Sequence, residues 1–202
     1  MKIIHICPLS WGSNCYLLVS GNEAFAVDPS PSADAIIRRA DEAGAEIKAI
    51  LLTHGHFDHV LSAETLHKKT GAPVLIHRGD GDMLTDSTKN AYRLFFGQDR
   101  IFKSADRLLD DGEVLRLGDE NVRVMNTPGH SIGSSCFVTD DFIITGDTIF
   151  AEGYGRVDLY GGNMQTLISS LRALATLDRH LTIYPGHGDS TTLGDALSKL
   201  GL

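Results

Sequence analysis

Four predicted strands of this chain are each followed by histidine or aspartate at the point where the strand ends. These residues are His54 and His56 after the strand at 47–53, His130 after the strand at 122–126, Asp147 after the strand at 142–145, and His187 after the strand at 181–184. Loops beyond strand ends are held by a rigid scaffold and commonly form binding sites. A fold that suits this chain must therefore bring several strand ends together.

The spacing of apolar residues predicts an α/β (α+β) fold in one domain that spans residues 1–202. Runs of branched and aromatic residues predict strands at 2–6, 16–19, 24–27, 47–53, 74–77, 114–117, 122–126, 136–139, 142–145 and 181–184. Capping residues and helical periodicity predict helices at 32–43, 59–70, 164–177 and 193–200. The early strands form hairpins and later ones alternate with helices, which favours mixed sheets covered by helices over a uniform parallel sheet.

The amino-acid composition of the chain limits the kinds of molecule that we expect it to bind. The net charge is -8 and no run of Lys or Arg stands out, which argues against nucleic acid and against an anionic membrane as partners. The three cysteines contain no CxxC pair, so we expect reduced thiols and a cytoplasmic protein. No apolar run has membrane-spanning length. We therefore expect a small-molecule substrate, and the sequence predicts no particular oligomeric state.

The sequence HGHFDH, which follows the first of these strands, has the residue types of a metal site. Side chains at positions i and i+2 of an extended chain point the same way, so His54 and His56 can bind one ion together. Asp58 and His59 follow where the chain turns into a helix, and they can bind a second ion. Imidazole and carboxylate ligands suit zinc, and also iron or manganese. The seven candidate ligands are more than the four that one tetrahedral zinc ion binds, but their number suits two ions if Asp147 bridges them.

The sequence GHSIG at 129–133 offers a competing interpretation. It fits G-x-S-x-G, the nucleophile elbow of serine hydrolases, with Ser131 as nucleophile and Asp147 and His187 in the order that a triad requires. An elbow needs a helix directly behind the serine. Here another strand is predicted at 136–139, so we expect His130 to act as a metal ligand and the serine match to be coincidental.

Together, THGHFDH, His130, Asp147 in GDT and His187 in YPGHG resemble the metallo-β-lactamase superfamily, and Asp28 in VDPS matches its first acidic motif. The resemblance covers nearly the whole chain and implies a four-layer αββα sandwich with a two-metal site at the edge between the sheets. It implies the following ligands: His54, His56 and His130 for one ion, Asp58, His59 and His187 for the other, and Asp147 as the bridge. Asp28 would orient the ligand loop.

The stretch at 146–163 is similar to the hydroxyacylglutathione hydrolases (glyoxalase II) and their small relatives. This resemblance implies that a bridging hydroxide hydrolyses a thioester or ester, with Asp58 orienting the hydroxide and accepting its proton. Arg156 either binds a substrate carboxylate or forms a structural ion pair with Asp158, and we favour the ion pair. Only 15 residues follow His187. We therefore expect most of the glutathione-binding segment of glyoxalase II to be absent.

Two other functions stay open at this stage. A mononuclear iron oxygenase acting on persulfides, built on the same fold, would use His54, His56 and Asp147 around one iron. A binding module without enzymatic activity is the third option. The stretch at 79–107 is polar but carries aromatic and aliphatic side chains, so it either packs on the body of the domain, or forms a wall or lid over a pocket, or does both.

Overall fold

Two mixed sheets of six strands each form the centre of the computed structural model, which describes residues 1–7 and 12–202. The strands of the first sheet are β1 Lys2–Ile6, β2 Cys15–Ser20, β3 Glu23–Val27, β4 Glu46–Leu52, β5 Val74–His77 and β6 Arg107–Leu109. Those of the second are β7 Val114–Leu117, β8 Glu120–Asn126, β9 Ser135–Val138, β10 Phe142–Gly146, β11 Thr182–Pro185 and β12 Thr191–Thr192. The helices are α1 Ala33–Glu42, α2 Phe57–Val60, α3 Ala63–Thr70, α4 Tyr92–Phe96, α5 Met164–Leu174 and α6 Leu193–Lys199.

Both sheets combine parallel and antiparallel pairs, as predicted. In the first sheet, strands β1 to β3 pair antiparallel and strands β3 to β6 pair parallel. The second sheet has the order β12-β11-β10-β9-β8-β7 and is antiparallel except for the β10–β11 pair. Parallel pairs need a crossover between the strands, and helices α1, α3 and α5 lie in those connections.

Three apolar clusters define the layers. The central cluster joins the facing sides of the two sheets and includes Leu51 from β4 and Phe137 from β9, both fully buried. A second cluster packs α1 and α3 on the outer side of the first sheet, and a third packs α5 and α6 on the outer side of the second. The four-layer αββα sandwich is therefore confirmed.

The predicted helix at 59–70 is interrupted. It begins earlier, at Phe57, and divides into α2 and α3, with a turn between Val60 and Ala63. The backbone N–H of Ser62 donates to the carbonyl oxygen of Pro29 at 2.8 Å, so it is not available to continue the helical hydrogen-bond ladder. Apolar periodicity does not reveal such a partner, because Pro29 is distant in the sequence.

The stretch at 79–107 both packs on the body of the domain and forms part of a cavity wall, as its composition suggested. Met83 and Leu84 are buried in a short 3-10 turn, which anchors the stretch to the domain. Helix α4 turns Phe95 towards the cavity described below. The stretch then ends in β6, a strand that was not predicted. Among the described residues, no helix is long and apolar enough to cross a membrane.

Candidate metal centre

The residues that follow β4, β8, β10 and β11 converge at one edge of the sandwich. Five of the seven predicted ligands are buried there, with relative exposures of 1% for His54, 3% for His56, 0% for His59, 2% for His130 and 9% for Asp147. Asp58 and His187 are more open, with 19% and 42% of their side chains exposed. The structure thus brings together all seven side chains, five of them removed from solvent.

His54, His56 and His130 form the first group. Nε2 of His130 lies 2.9 Å from Nδ1 of His56 and 3.2 Å from Nε2 of His54. Ligand nitrogens around a tetrahedral zinc ion are separated by about 3.3 Å, given zinc–nitrogen bonds of about 2.0–2.1 Å. The three imidazoles are therefore spaced as ligands of one ion.

Asp58, His59 and His187 form the second group, and Asp147 lies between the two groups. Nε2 of His187 is 3.2 Å from Oδ2 of Asp58. The carboxylate of Asp147 lies 3.4 Å from Nε2 of His59 and 3.7 Å from Nε2 of His130. Asp147 thus contacts a histidine of each group, which is the position that a bridging carboxylate requires.

Unpartnered buried atoms provide an independent test of whether these residues fit a metal. Nε2 of His59 and Oδ1 of Asp147 are buried and have no hydrogen-bond partner among the described residues. Nε2 of His56, the ring nitrogen that does not face His130, is also unpartnered. Buried polar atoms are normally satisfied, because an unpaired one costs about 1–3 kcal/mol. A cation between His59 and Asp147 would satisfy both atoms.

Asp28 orients ligands of both groups. Its Oδ2 lies 2.9 Å from Nδ1 of His59 and accepts a hydrogen bond of 2.7 Å from the hydroxyl of Thr53. The Thr53 hydroxyl lies 3.1 Å from Nδ1 of His54. A carboxylate on the second ring nitrogen selects the tautomer that leaves Nε2 free for a metal. Asp28 has a φ of 50°, an uncommon conformation for a residue other than glycine, which the surrounding hydrogen bonds hold in place.

The pKa values of the buried histidines reflect their surroundings. Burial, together with neighbouring imidazoles, lowers the pKa of His54 well below its ordinary value and that of His56 to about 3. Burial also acts to lower the pKa of His59, but the nearby carboxylates of Asp28 and Asp147 raise it well above the ordinary value. His54 and His56 are thus neutral at physiological pH, which is the form that binds metal.

The two carboxylates at the centre are ionised for a related reason. Burial acts to raise the pKa of Asp147, but the charge of His59, whose Nε2 lies 3.4 Å away, and the charges of His130 and His187 outweigh burial and lower that pKa well below its ordinary value. For Asp58, burial is likewise outweighed by the charge of His59 and by a hydrogen bond with His187, so its pKa is lowered. Both carboxylates therefore present negative oxygens to the centre.

Ser131 is structural in this fold. It is fully buried, and its hydroxyl donates to Oδ2 of Asp80 at 2.6 Å and lies 2.6 Å from the hydroxyl of Ser134. No helix follows it, because the chain enters β9 at Ser135. The geometry of a nucleophile elbow is therefore absent at this serine.

A cavity of about 440 Å³ opens in front of the two ligand groups. Its apolar wall consists of Phe57, Ala91, Phe95, Phe150 and Leu159. Arg156 lies at the same cavity, where its guanidinium forms two hydrogen bonds with Asp158, of 2.6 and 2.7 Å, and stacks 5.8 Å from the centre of the Phe95 ring. The predicted ion pair is thus present, and Arg156 also faces the cavity.

Phe95 was predicted only as part of the stretch at 79–107 that could form a cavity wall, and Asp80 was not predicted to lie near the centre. Phe95 lies in α4, a helix of five residues that is too short to show a periodic pattern. Asp80 was detectable in principle, because it is an acidic residue that follows the end of β5 as the predicted ligands follow other strands. It stands three residues beyond His77, the last residue of β5, so the pattern of ligands directly at strand ends does not include it.

Both the sequence and the fold of this chain are similar to those of known proteins. The sequence model of the metallo-beta-lactamase superfamily matches residues 10–187. A protein described as "Probable metallo-hydrolase YqgX" from Bacillus subtilis (strain 168) is 37% identical over 182 residues, which cover 89% of this chain and 86% of the relative. Two crystal structures, each 30% identical, are similar in fold over 98% of this chain. The BLEG-1 B3 metallo-beta-lactamase has a TM-score of 0.91 with 97% of its chain covered, and the di-iron-bound form of TTHA1623 has a TM-score of 0.84 with 98% covered.

Proposed function

The chain belongs to the metallo-beta-lactamase superfamily, and from this we propose that it is a glyoxalase II-like hydrolase that uses two divalent metal ions to cleave a thioester or an ester. One observation carries the proposal: the carboxylate of Asp147 lies between the two groups of ligand side chains, 3.4 Å from His59 and 3.7 Å from His130, at the edge of an open cavity. The description of YqgX as a probable metallo-hydrolase supports the hydrolase class.

Each side chain has a role in this proposal. His54, His56 and His130 would hold one ion, and Asp58, His59 and His187 would hold the other, with Asp147 contributing to both. When bound, two such ions supply an activated water near neutral pH and polarise a substrate carbonyl. Zinc is the metal that we propose first, while iron and manganese suit the same ligands, and the TTHA1623 structure is described as a di-iron-bound form.

Asp58 is the proposed catalytic carboxylate. Its lowered pKa keeps it ionised, and its side chain lines the cavity beside His187. It can therefore accept a proton from a water molecule that enters the cavity and hold that water towards the substrate carbonyl. His187 has a half-exposed side chain and hydrogen-bonds to Asp58, so it orients the same carboxylate.

The other walls of the cavity govern substrate binding. The aromatic wall excludes water from an acyl or thiol group, while Arg156 offers a cation to a substrate carboxylate. Asp158 already holds that cation, so we propose that Arg156 contributes modestly to affinity and that Phe95 contributes more. We propose that the glutathione moiety is not required.

The mononuclear iron oxygenase is the alternative. It would leave Asp58, His59 and His187 without a metal to bind, although their ligand atoms lie within 4.8 Å of one another. This grouping favours two ions. Iron content accompanied by persulfide-dependent oxygen uptake would support the oxygenase, whereas two zinc ions without oxygen uptake would reject it.

The proposal is tested by metal analysis and a substrate panel run together. The protein is loaded with zinc and, separately, with iron(II), and is assayed with S-lactoylglutathione, the lactoyl thioester of N-acetylcysteamine, a simple ester and a chromogenic β-lactam. We expect two ions per chain and hydrolysis of both lactoyl thioesters at similar rates. A chelator should abolish hydrolysis and added metal should restore it. Full activity in metal-free protein, or no turnover of any substrate in the panel, would contradict the proposal.

Two variants distinguish the loss of Asp58 from the general effect of removing one negative charge. Asp58→Asn removes the proton acceptor, and we expect a loss of at least about 100-fold in kcat, the usual contribution of a general base. Asp119→Asn changes a fully exposed aspartate in the turn between β7 and β8 and should leave kcat unchanged. Equal activity of the two variants would show that Asp58 is not the base.

A further inference from the structure

Asp80 is a buried carboxylate outside the proposed ligand set. It is fully buried in the 3-10 turn Arg78–Asp80, directly after β5. Its two oxygens accept three hydrogen bonds: Oδ2 from the backbone N–H of Gly55 at 3.1 Å and from the hydroxyl of Ser131 at 2.6 Å, and Oδ1 from the backbone N–H of Gly133 at 2.6 Å. These bonds satisfy both oxygens, so burial of the carboxylate is compensated.

The donors belong to the two loops that present the first ligand group. Gly55 is the residue between His54 and His56, whereas Ser131 and Gly133 directly follow His130. Asp80 therefore connects loops that are more than seventy residues apart in the sequence, since His56 and His130 are separated by 74 positions. The three hydrogen bonds of its carboxylate involve none of Asp58, His59 and His187, which form the second group.

Close packing strengthens this connection. A Cβ atom added to Gly133 would lie 2.5 Å from the backbone nitrogen of Asp80, and one added to Gly55 would lie 2.6 Å from Cβ of Met83. The turn that carries Asp80 therefore packs against the Gly133 loop, and the following 3-10 turn, which begins at Met83, packs against Gly55, so a side chain at either glycine would require its neighbour to move. Ser134 completes the arrangement, because its hydroxyl lies 2.6 Å from that of Ser131 and accepts from the backbone N–H of Ser131 at 3.0 Å.

We propose that Asp80 is a positioning residue that clamps the His54–His56 loop to the His130 loop and thereby sets the spacing of the first three-histidine group. The inference rests on the proposed metal centre and gives Ser131, which resembles a nucleophile in the sequence, a role as part of this clamp. Residues that orient metal ligands typically contribute about 10–100-fold to metal affinity. The clamp predicts a loss of this size at one of the two ion sites and little change at the other.

Asparagine is a suitable replacement because it conserves the volume of Asp80. Its amide nitrogen would have to occupy the position of either Oδ1 or Oδ2. In either orientation one backbone N–H, that of Gly133 or that of Gly55, would face a donor and lose its acceptor. Asp106→Asn is the matched control, since the Asp106 carboxylate accepts from the backbone N–H of Val74 at 2.8 Å and otherwise pairs with Lys103 and His67, neither of which belongs to a ligand loop.

The experiment measures stepwise zinc dissociation constants by chelator competition for the unmodified protein, Asp80→Asn and Asp106→Asn. Cobalt(II) replaces zinc in a parallel titration, so that the visible absorption bands report the ligand geometry of each site. For Asp80→Asn we expect one constant to weaken by at least about tenfold, the other to change by less than about twofold, and the cobalt bands of one site to shift. Asp106→Asn should retain both constants and the spectrum, even if it lowers thermal stability.

The proposal is overturned if Asp80→Asn keeps both constants, if both weaken in proportion, or if Asp106→Asn has the same effect. If Asp80→Asn does not fold, Ser131→Ala provides the test, with a smaller loss of about threefold at one site, as expected for one hydrogen bond. Amide hydrogen exchange in metal-free protein supplies a readout that does not depend on the ions. Faster exchange of the Gly55 or Gly133 amide in Asp80→Asn supports the clamp even if the variant binds zinc too weakly for its dissociation constants to be measured. Unchanged exchange at both amides overturns the proposal.

Discussion

Replacing His130 with alanine tests the ligand assignment most directly. His130 is buried, and its Nε2 lies 2.9 Å from His56 and 3.2 Å from His54, while its Nδ1 lies 2.6 Å from the carbonyl oxygen of Arg156. Removal of a group that only orients a ligand costs about 10–100-fold in metal affinity, so loss of the ligand itself should cost at least about 100-fold. His130→Ala should therefore bind one of its two ions far more weakly.

The loss of affinity converts into a loss of thermal stability. At a free zinc concentration of about 100 times the dissociation constant, an ion stabilises the folded state by about 2.7 kcal/mol. A 100-fold weaker site retains only about 0.4 kcal/mol at the same concentration, a difference of about 2.3 kcal/mol. For a chain of 202 residues this corresponds to a decrease in Tm of about 5–9 °C.

The assay is a set of thermal melts with zinc and with chelator, combined with metal counting. Loss of the hydrogen bond between His130 and Arg156 costs about 1 kcal/mol under both conditions, so the zinc-dependent difference isolates the contribution of the ion. Ser131→Ala is the matched neighbour and should keep both ions and most of the zinc-dependent increase in Tm. The reasoning is refuted if His130→Ala retains two ions and the full increase, or if a serine-directed phosphonate labels Ser131.

Other predictions concern the scaffold and the cavity. Gly129→Ala should destabilise the protein by about 3 kcal/mol in urea denaturation, because φ is 138° there and a Cβ would overlap the backbone of Leu167. Leu167→Ala should cost about 2–5 kcal/mol in the same assay, since Leu167 is fully buried between α5 and the second sheet, and a cost below about 1 kcal/mol would contradict this packing. The Arg156 guanidinium lowers the pKa of Asp158 to about 2, so Arg156→Ala should return that pKa towards about 3.9 in a carboxyl NMR titration. An unchanged Asp158 pKa would mean that another group holds it down.

The local pattern of the chain was sufficient to predict most of the fold. Strands such as β5 and β7 appear with the predicted bounds, because strand propensity, and in β7 the alternation of exposed and buried residues, depend on neighbouring residues. The ligand residue types could also be predicted, since strand ends are visible in the sequence and few side chains suit a divalent ion. The broken helix after Phe57 and the short strand β6 were missed, because partners distant in the sequence define both.

The pattern of the sequence by itself therefore determined the mixed sheets covered by helices and the candidate residues of a metal centre, and the resemblance to the superfamily implied the four-layer sandwich. Only the tertiary structure decided which ring nitrogens face one another, that Asp28 orients His59, and that Phe95 forms a wall of the cavity. It also decided that Ser131 bonds to Asp80 rather than to a substrate. The physical reason is the distance along the sequence over which each effect acts. Periodicity and propensity act over a few residues, whereas the position of a buried polar group depends on partners that folding brings from 51 residues away, as for Ser131 and Asp80.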